Sequence, residues 1–225
     1  MVDQREAAIV TVRLAELARR PVVGRFDVTH LNEIHRRIFQ DLPHHLPGMY
    51  RPKASAHIKG RVLEVSGHRY HIRYALRDEV DSGLREILTE LNGAEHLRGL
   101  NEEAFAIRMA VLYADLDFLH PFKEGNSRTL RIFTAQLAHE VGRTLNWHAT
   151  NVDAASHDRF YIARDMDVLR RAYPDLRAAP DRRVISEEND ARCEAWTTLE
   201  CFRQADTLAT IIRESLAPVV VTCRG

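Results

Sequence analysis

The stretch HPFKEGNSRTLR, His120–Arg131, determines how the rest of the chain is interpreted. It follows residues 101–119, NEEAFAIRMAVLYADLDFL, which are apolar around most of a helical circumference and therefore predict a buried central helix. Pro121 cannot continue that helix, Gly125 permits a tight turn, and Asn126 is a preferred N-cap for a second helix. The stretch therefore predicts a helix, a loop and a second helix at the centre of a mostly helical domain.

The start of the second helix has the composition of a phosphate site. Backbone amides of Gly125–Arg128 have no partners within the helix, and the helix macrodipole adds about half a positive charge at the same end. Arg128 and Arg131 are three residues apart and can reach further phosphates. A carboxylate among these cations, Glu124, suits Mg²⁺ bound between protein and phosphate oxygens. His120 is placed to accept a proton from an incoming hydroxyl.

These features predict transfer of a phosphoryl or nucleotidyl group from a nucleoside triphosphate. Neither GxxxxGK[ST] nor GxGxxG occurs in the chain, which excludes P-loop enzymes and ordinary kinases. A lone histidine before a proline, or a lone arginine pair on a helix, is more often structural than catalytic. All of these residues in register at one loop–helix junction favour a functional site.

The remaining pattern is helical except in one region. Apolar residues at helical spacing cover residues 5–20, 30–42, 78–92 and 128–141, and two or three shorter helices are expected up to about residue 176. Alternation in GRVLEVSGHRYHIRY, residues 60–74, predicts a β-hairpin that turns at Ser66–Gly67, and it is the only strand-like region. The proline-containing residues 174–183 predict a linker. We therefore expect a domain of residues 1–178 and a helical C-terminal extension of residues 179–225.

Composition narrows the class of protein. The 225 residues include 32 Lys+Arg and 32 Asp+Glu, so the formal net charge is zero and a general nucleic-acid binder is disfavoured. No apolar run approaches the roughly 18 residues of a membrane span, and the start of the chain does not resemble a secretory signal. We expect a cytoplasmic protein, or an effector that is translocated without a cleavable signal.

Cysteines and histidines outside the central stretch show no ligand motif. Cys193, Cys201 and Cys223 match neither a zinc ribbon nor a redox motif, and we expect reduced thiols. His44–His45 and the other histidines also lack the spacing of metal ligands, so no structural metal is expected.

The central stretch resembles the signature of the Fic family, HPFx[DE]GN[GK]RxxR, at every position except Ser127, where the family usually has glycine. The resemblance extends outward from it. Residues 24–42 are similar to the helix before the family's active-site flap, residues 47–52 (PGMYRP) to a WAGxxR segment, and residues 146–165 to the segment on the adenine side. In all, about residues 5–178 can be laid along a Fic domain. The resemblance implies a helical bundle with a β-hairpin flap.

The resemblance also implies an activity, which is transfer of AMP from ATP to a Ser, Thr or Tyr hydroxyl of a target protein. His120 would be the general base and Glu124 would hold Mg²⁺ on the α- and β-phosphates. Gly125, Asn126, Ser127 and Arg128 would cradle the phosphates, and Arg131 would pair with the terminal phosphate.

Residues outside the signature would complete the site. The hairpin would align the target by adding a strand to it, with Tyr70, His71 and Ile72 as its docking edge, although a plain surface hairpin has the same pattern. Tyr161 would stack on adenine, and a core tyrosine is equally compatible with the sequence.

Ser127 leaves two interpretations open. A position that needs positive φ would be strained by serine by roughly 1–2 kcal/mol, whereas a first-turn helical position would accept it, which we favour. In the related Doc branch this residue is lysine and phosphate alone is transferred. Phosphate transfer, transfer of another nucleotide, and a non-catalytic nucleotide-sensing module are therefore the alternatives. A DNA-binding regulator is disfavoured by the charge balance.

Control of the activity is not evident from the sequence. Many Fic proteins carry an inhibitory helix, [ST]xxxE[GN]. THLNEI, residues 29–34, and TIIRES, residues 210–215, have its spacing but end differently. Apart from TIIRES as a candidate autoinhibitory tail, the glutamate would come from a separate small antitoxin or be absent. The toxin of a toxin–antitoxin pair is the physiological role that this pattern suggests.

Overall fold

The structure is a computed structural model that describes residues 4–54, 56–178 and 190–217. Eight α-helices lie within these ranges. They are α1 (Gln4–Arg19), α2 (Val28–Phe39), α3 (Arg77–Leu91), α4 (Glu102–Leu119), α5 (Asn126–Glu140), α6 (Ala154–Ala172), α7 (Asp190–Cys201) and α8 (Leu208–Glu214). The prediction of a mainly helical protein with one β-hairpin is confirmed.

Helix α4 is the centre of the bundle because its sequence is apolar on every side. Helices α3, α5, α6 and α8 all pack against it, and the side chains of Phe105, Met109, Tyr113 and Leu116 are fully buried. Burying a large apolar side chain contributes about 1.5–3 kcal/mol. Helix α4 therefore provides a rigid support for the loop that follows it.

Local sequence signals fix several element ends. Asp27 caps α2, where its carboxylate accepts a hydrogen bond from the His30 amide at 2.9 Å. Asn92 and Gly93 end α3 with left-handed backbone, at φ of 49° and 70°. One predicted cap is wrong: Gly125, not Asn126, is the N-cap of α5, and Asn126 is its first helical residue.

The hairpin consists of β1 (His57–Val62) and β2 (Arg69–Tyr74), which pair in antiparallel register from His57 opposite Tyr74 to Val62 opposite Arg69. Its turn contains Gly67 at φ 67°, as the sequence predicts. One face of the hairpin packs on α6 and α7 and forms a second core cluster with them.

The sequence interpretation is wrong at two places. The short helices expected before residue 176 are one long helix, α6, flanked by 3-10 turns at Trp147–Asn151 and Pro174–Ala178. A second antiparallel pairing joins β3 (Thr144–Leu145) to β4 (Leu216–Ala217). Two-residue strands are too short to show alternation, which is why the pattern does not reveal them.

Residues 190–217 pack onto the bundle. Helix α8 lies against α4 and α6, and α7 lies against α6 and the hairpin. The predicted boundary at residue 178 stays a prediction, because residues 179–183 of the predicted linker lie outside the described residues, while its first five residues form the 3-10 turn Pro174–Ala178. Cys223 also lies outside the described residues. None of the helices in the described ranges combines the length and apolar character needed to cross a bilayer.

Candidate active site

The loop between α4 and α5 begins with a strained residue. His120 ends α4 in the left-handed region, at φ 44°, a conformation that costs a non-glycine residue roughly 1 kcal/mol. The buried Arg51 stabilises it, because its Nε donates to the His120 carbonyl oxygen at 2.8 Å and its Nη2 to the Ala75 carbonyl oxygen at 2.6 Å. The Arg51 amide also donates to the Pro121 carbonyl oxygen. Arg51 therefore fixes the direction in which His120 leaves the helix.

The side chain of Asn126 holds the loop together from inside. Its Oδ1 accepts from the Phe122 amide at 2.9 Å and its Nδ2 donates to the Phe122 carbonyl oxygen at 2.8 Å. Because the side chain is buried, only the backbone of Asn126 remains available to a ligand.

A fully buried histidine of α2 supports the same loop. His35 Nδ1 accepts from the Gly48 amide at 2.9 Å, so the ring proton lies on Nε2, which donates to the Glu124 carbonyl oxygen at 3.0 Å. The ring also stacks on Phe122, with centroids 3.8 Å apart. Burial lowers the pKa of His35 to about 4, which keeps this donor–acceptor pattern at neutral pH.

The N-cap of α5 is a place where only glycine fits. Gly125 has φ 77°, and a Cβ atom built there would lie 2.1 Å from the Phe39 ring. Because Gly125 packs this closely on Phe39, the N-terminal end of α5 lies against the core, and its backbone amides border a cleft. Ser127 lies within α5, and positive φ belongs to Gly125, so Ser127 is unstrained.

The loop borders a cleft of about 430 Å³. Its lining contains the predicted phosphate-binding and metal-binding residues together with His120 and Tyr161: Glu124, Gly125, Asn126, Ser127, Arg128 and Arg131. It also contains residues that sequence reasoning missed: Lys59, Arg61, Tyr74, Asn151, His157 and Arg164.

Positive charge dominates the cleft although the chain is neutral overall. Five of the lining side chains are lysine or arginine, and among the described residues Glu124 is the only lining carboxylate. Burial opposes ionisation of Glu124, but the Gly125 amide and the Lys59 and Arg128 cations hold its pKa below the usual value. Arg128 Nη2 lies 2.8 Å from Glu124 Oε1. The cleft therefore suits a polyanion and keeps one ionised carboxylate beside it.

His120 lies at the inner end of this cleft and is 5% exposed. The rings of Tyr74 and His57, paired residues of the hairpin, lie 3.9 and 5.2 Å from its ring. Burial lowers the pKa of His120 to about 4, partly opposed by Asp117, whose Oδ1 is 3.5 Å from His120 Nδ1. A neutral ring with its proton on the side of Asp117 leaves the Nε2 lone pair to accept a proton.

Two buried carboxylates hold the arginines around Tyr161. Asp165 accepts from Arg164 at 2.7 Å, from Arg61 at 2.8 Å and from the Tyr70 hydroxyl at 3.1 Å. Asp117 Oδ2 lies 3.1 Å from Arg164 Nε. The Arg61 and Arg164 guanidinium groups lie 4.1 and 4.3 Å from the Tyr161 ring centroid. Tyr161 therefore lines the cleft with two cations over its ring, and its stacking on a base stays a prediction.

The residues predicted as the docking edge do not line the cleft. Tyr70 and Ile72 are buried in the core cluster under the hairpin, and His71 points outward, 2.7 Å from Glu194 of α7. Strand β1 contributes Lys59 and Arg61 to the cleft instead. A docking role for β2 stays a prediction, and its buried side chains contact α6 because the alternation of β2 turns them inward.

Helix α6 anchors the hairpin over the site. The Asp158 carboxylate accepts from the amides of Glu64 and Val65 at 2.9 and 2.8 Å, and Asp165 accepts from Arg61. The sequence offers no signal for these long-range pairs. By contrast, Asp117 precedes His120 by three residues at the end of α4, and this short spacing is a signal that could have identified the orienting carboxylate.

The glutamates of the two candidate inhibitory segments form ion pairs with arginines other than Arg131. Glu33 pairs with Arg36 at 2.6 Å, and Glu214 pairs with Arg159 at 2.6 Å. Arg131 forms no ion pair with a carboxylate in the part of the chain that the structure describes, and its Nε is buried without a hydrogen-bond partner there. The second arginine of the signature is therefore not blocked by either candidate.

Known proteins resemble this chain in sequence. Protein adenylyltransferase VbhT of Bartonella schoenbuchensis is 32% identical over 164 residues, which cover 72% of this chain and 32% of VbhT. A protein adenylyltransferase of Bartonella henselae is 26% identical over 170 residues, covering 72% of this chain and 30% of that protein. The chain thus spans about a third of the length of these two relatives.

Solved structures share the fold. BepC of Bartonella tribocorum, crystallised with bound AMPPNP, superposes with a TM-score of 0.57 at 18% identity and covers 96% of this chain and 86% of that one. The N-terminal Fic domain of a Bep effector from Bartonella sp. AR 15-3 gives a TM-score of 0.62 at 19% identity, with coverage of 97% and 83%. At this identity the likeness concerns the fold alone.

The sequence profile of the Fic/DOC family matches residues 25–138, about half of the chain, and these residues contain the whole loop between α4 and α5. From this match and the geometry of the loop, we conclude that the chain belongs to the Fic/DOC family.

Proposed function

We propose that this chain transfers AMP from ATP to a Ser, Thr or Tyr hydroxyl of a target protein. One observation carries the proposal. A buried, neutral His120 lies at the inner end of a cationic cleft whose floor is the amide end of α5. A site that only sensed nucleotide would need the cations and the helix end but not a proton acceptor held by its own carboxylate. The curated relatives named protein adenylyltransferases support the same activity.

The triphosphate would bind where the positive charge is concentrated. Amides at the start of α5 face the cleft, and Arg128 and Arg131 extend from its first turns on the same side. Lys59 and Arg61 approach from β1. The nucleotide base would then lie toward Tyr161.

The residues present fit a magnesium ion. Mg²⁺ in nucleotide sites typically takes one or two carboxylates plus phosphate oxygens, and Glu124 is an ionised carboxylate at the phosphate end of the cleft. When bound there, Mg²⁺ supplies neutralisation of phosphate charge. Glu124 would then exchange its ion pair with Arg128 for the metal, and the Arg128 guanidinium would be available to phosphate.

His120 would remove the proton as the bond forms. The target hydroxyl oxygen attacks the α-phosphorus, its proton moves to Nε2 of His120, and the bond from the α-phosphorus to the bridging oxygen breaks so that pyrophosphate leaves. Asp117 stabilises the imidazolium that forms. A general base of this kind contributes about 10²–10⁴ in rate.

The biological setting that we propose is the toxin of a toxin–antitoxin pair in the cytoplasm. Arg131 has no carboxylate partner in the described ranges, which leaves it accessible to a glutamate supplied by a small partner protein. Expression of the chain should then arrest growth, and His120→Ala should relieve the arrest. Equal toxicity of the mutant would contradict this role.

Label transfer in a bacterial lysate tests the activity itself. Parallel reactions carry ATP labelled on the α- or the γ-phosphorus, with wild type, His120→Ala, and His96→Ala as the control, since His96 is exposed and distant in sequence from the loop. Bands from the α-label alone, lost only with His120→Ala, are expected. Bands from the γ-label alone would show phosphate transfer instead, and ATP binding without any label would favour a sensing module.

A further inference from the structure

Three side chains that are far apart in the sequence converge on the surface behind the phosphate loop. Glu6 of α1 lies 2.7 Å from His44 Nε2 through Oε1 and 3.2 Å from His45 Nε2 through Oε2. The ligand atoms of all three residues lie within 4.8 Å of one another. Adjacent histidines have no ligand spacing by themselves, which is why the sequence suggests no metal; Glu6, 39 residues from His45, completes the set.

The dimensions suit a first-row transition metal. In a tetrahedral zinc site with bonds of roughly 2.0–2.2 Å, ligand atoms are about 3.4 Å apart. The distances from the Glu6 carboxylate oxygens to His44 Nε2 and His45 Nε2, 2.7 and 3.2 Å, approach that value. Side-chain shifts of about 1 Å would centre an ion, and the side chains of His44, at 54% exposure, and Glu6, at 28%, have room to make them.

The donor set decides which cation fits. Two imidazole nitrogens and one carboxylate suit Zn²⁺ and its neighbours, whereas Mg²⁺ and Ca²⁺ prefer oxygen ligands. We propose that Glu6, His44 and His45 form a second metal site, selective for Zn²⁺-type cations and separate from the magnesium position at Glu124. Exposure of His44 leaves a fourth position to water.

The consequence would be a clamp between α1 and the 3-10 turn Pro43–His45. The buried apolar residues of α1, Val10 and Leu17, both follow Glu6, so the clamp would add a fixed point at the start of this helix. Pro43–His45 is in turn joined to the phosphate loop, since Lys123 Nζ donates to the His44 carbonyl oxygen at 3.0 Å. The His45 ring also lies 5.2 Å from the ring of Phe39, the α2 residue against which Gly125 of the loop packs. Zinc would therefore stiffen a segment adjacent to the active site.

Metal titration of the untagged, chelator-treated chain tests the site directly. Three cysteines would also bind zinc, so the parent protein carries Cys193→Ser, Cys201→Ser and Cys223→Ser. We expect one Zn²⁺ per chain, a zinc-dependent rise in Tm, and slower amide exchange in α1. Co²⁺ should give the visible bands of a four-coordinate N/O site, and Mg²⁺ should not compete.

Variants separate this site from adventitious binding. His44 and Glu6 are both partly exposed, so His44→Ala and Glu6→Gln should fold. Each should weaken Zn²⁺ binding by more than about tenfold, because even residues that only orient a metal ligand contribute about that much. His96→Ala removes an exposed histidine that follows Glu95 and should change nothing. The proposal is wrong if the parent binds no Zn²⁺ at micromolar concentration, or if binding survives both His44→Ala and Glu6→Gln.

Discussion

Asp117 Oδ1, in the last turn of α4, lies 3.5 Å from Nδ1 of His120, the residue that caps this helix, and both side chains are almost completely buried. The same carboxylate faces the guanidinium of Arg164, with Oδ2 at 3.1 Å from Nε. Burial opposes ionisation of Asp117, yet Arg164 and His120 hold its pKa below the usual value. An ionised carboxylate therefore orients the proposed base and raises its proton affinity, while burial lowers it.

Asp117→Asn should weaken the base without removing it. Because Asp117 raises the pKa of His120, its loss should lower that pKa below about 4. AMP transfer at neutral pH should fall by at least about tenfold and by no more than the roughly 10²–10⁴ that the base itself contributes. The measurements are kcat/KM against pH and an NMR titration of the His120 ring.

Asp115→Asn is the matched control, since it changes the same residue type on the same helix at a carboxylate that binds Arg171. It should leave the His120 titration unchanged. A His120 titration that also stays unchanged in Asp117→Asn would show that Asp117 has only a structural role.

Gly125→Ala should destroy the phosphate end of the cleft. The new methyl group would lie 2.1 Å from the fully buried Phe39 ring, in addition to the cost of φ 77°. Gly67→Ala is the control, because Gly67 has a similar φ of 67° but no atom within 4 Å of its added Cβ. We expect about 1 kcal/mol of destabilisation for Gly67→Ala and a clearly larger loss for Gly125→Ala, measured by urea unfolding and by ATP binding. Equal losses of stability in the two variants would mean that the Phe39 ring can move away from the new methyl group at little cost.

Stability should decline as the pH falls from 6.5 toward 4. The pKa of His35 is lowered to about 4 in the folded protein from an ordinary 6.5. Between pH 6.5 and pH 4 the unfolded chain therefore binds a proton at His35 that the folded chain does not bind. The contribution is complete above pH 6.5 and is lost on acidification, at about 1.4 kcal/mol per pH unit for each such histidine.

His35→Gln should reduce that slope, because glutamine does not titrate. Urea unfolding at several pH values measures the free energy of unfolding, and His96→Ala, at an exposed histidine, should retain the wild-type slope. An unchanged slope in His35→Gln would refute the assignment of His35 as a neutral donor–acceptor in the folded state.

Arg51→Met should destabilise the protein and misplace His120. The substitution removes the guanidinium donors that bind the buried carbonyl oxygens of His120 and Ala75, and leaves both oxygens without these hydrogen bonds. Hydrogen bonds to charged groups contribute about 1.5–3 kcal/mol each, so the loss of two should destabilise the protein by about 3–6 kcal/mol and reduce AMP transfer. Arg73→Met, at an exposed arginine of β2, should cost less than about 0.5 kcal/mol. Comparable losses of stability in Arg51→Met and Arg73→Met would show that Arg51 does not hold the loop at His120 in place.

Features encoded within a few residues could be predicted from the sequence. The hairpin turn at Gly67 and the central position of α4 each follow from neighbouring residues and their periodicity. The loop residues His120 to Arg131 could likewise be assigned to one site, because consecutive residues at a loop–helix junction face one region of space.

Features that depend on distant residues were decided by the tertiary structure alone. Lys59, Arg61 and Arg164 reach the cleft from a strand and a helix whose polar patterns look like ordinary solvated faces. Asn126 bonds within the loop, so its buried side chain does not face a ligand. The sequence by itself determined the chemical groups of the loop. Tertiary packing determined which distant charges surround them, because the energy of a buried ion pair depends on separation in space and on local burial.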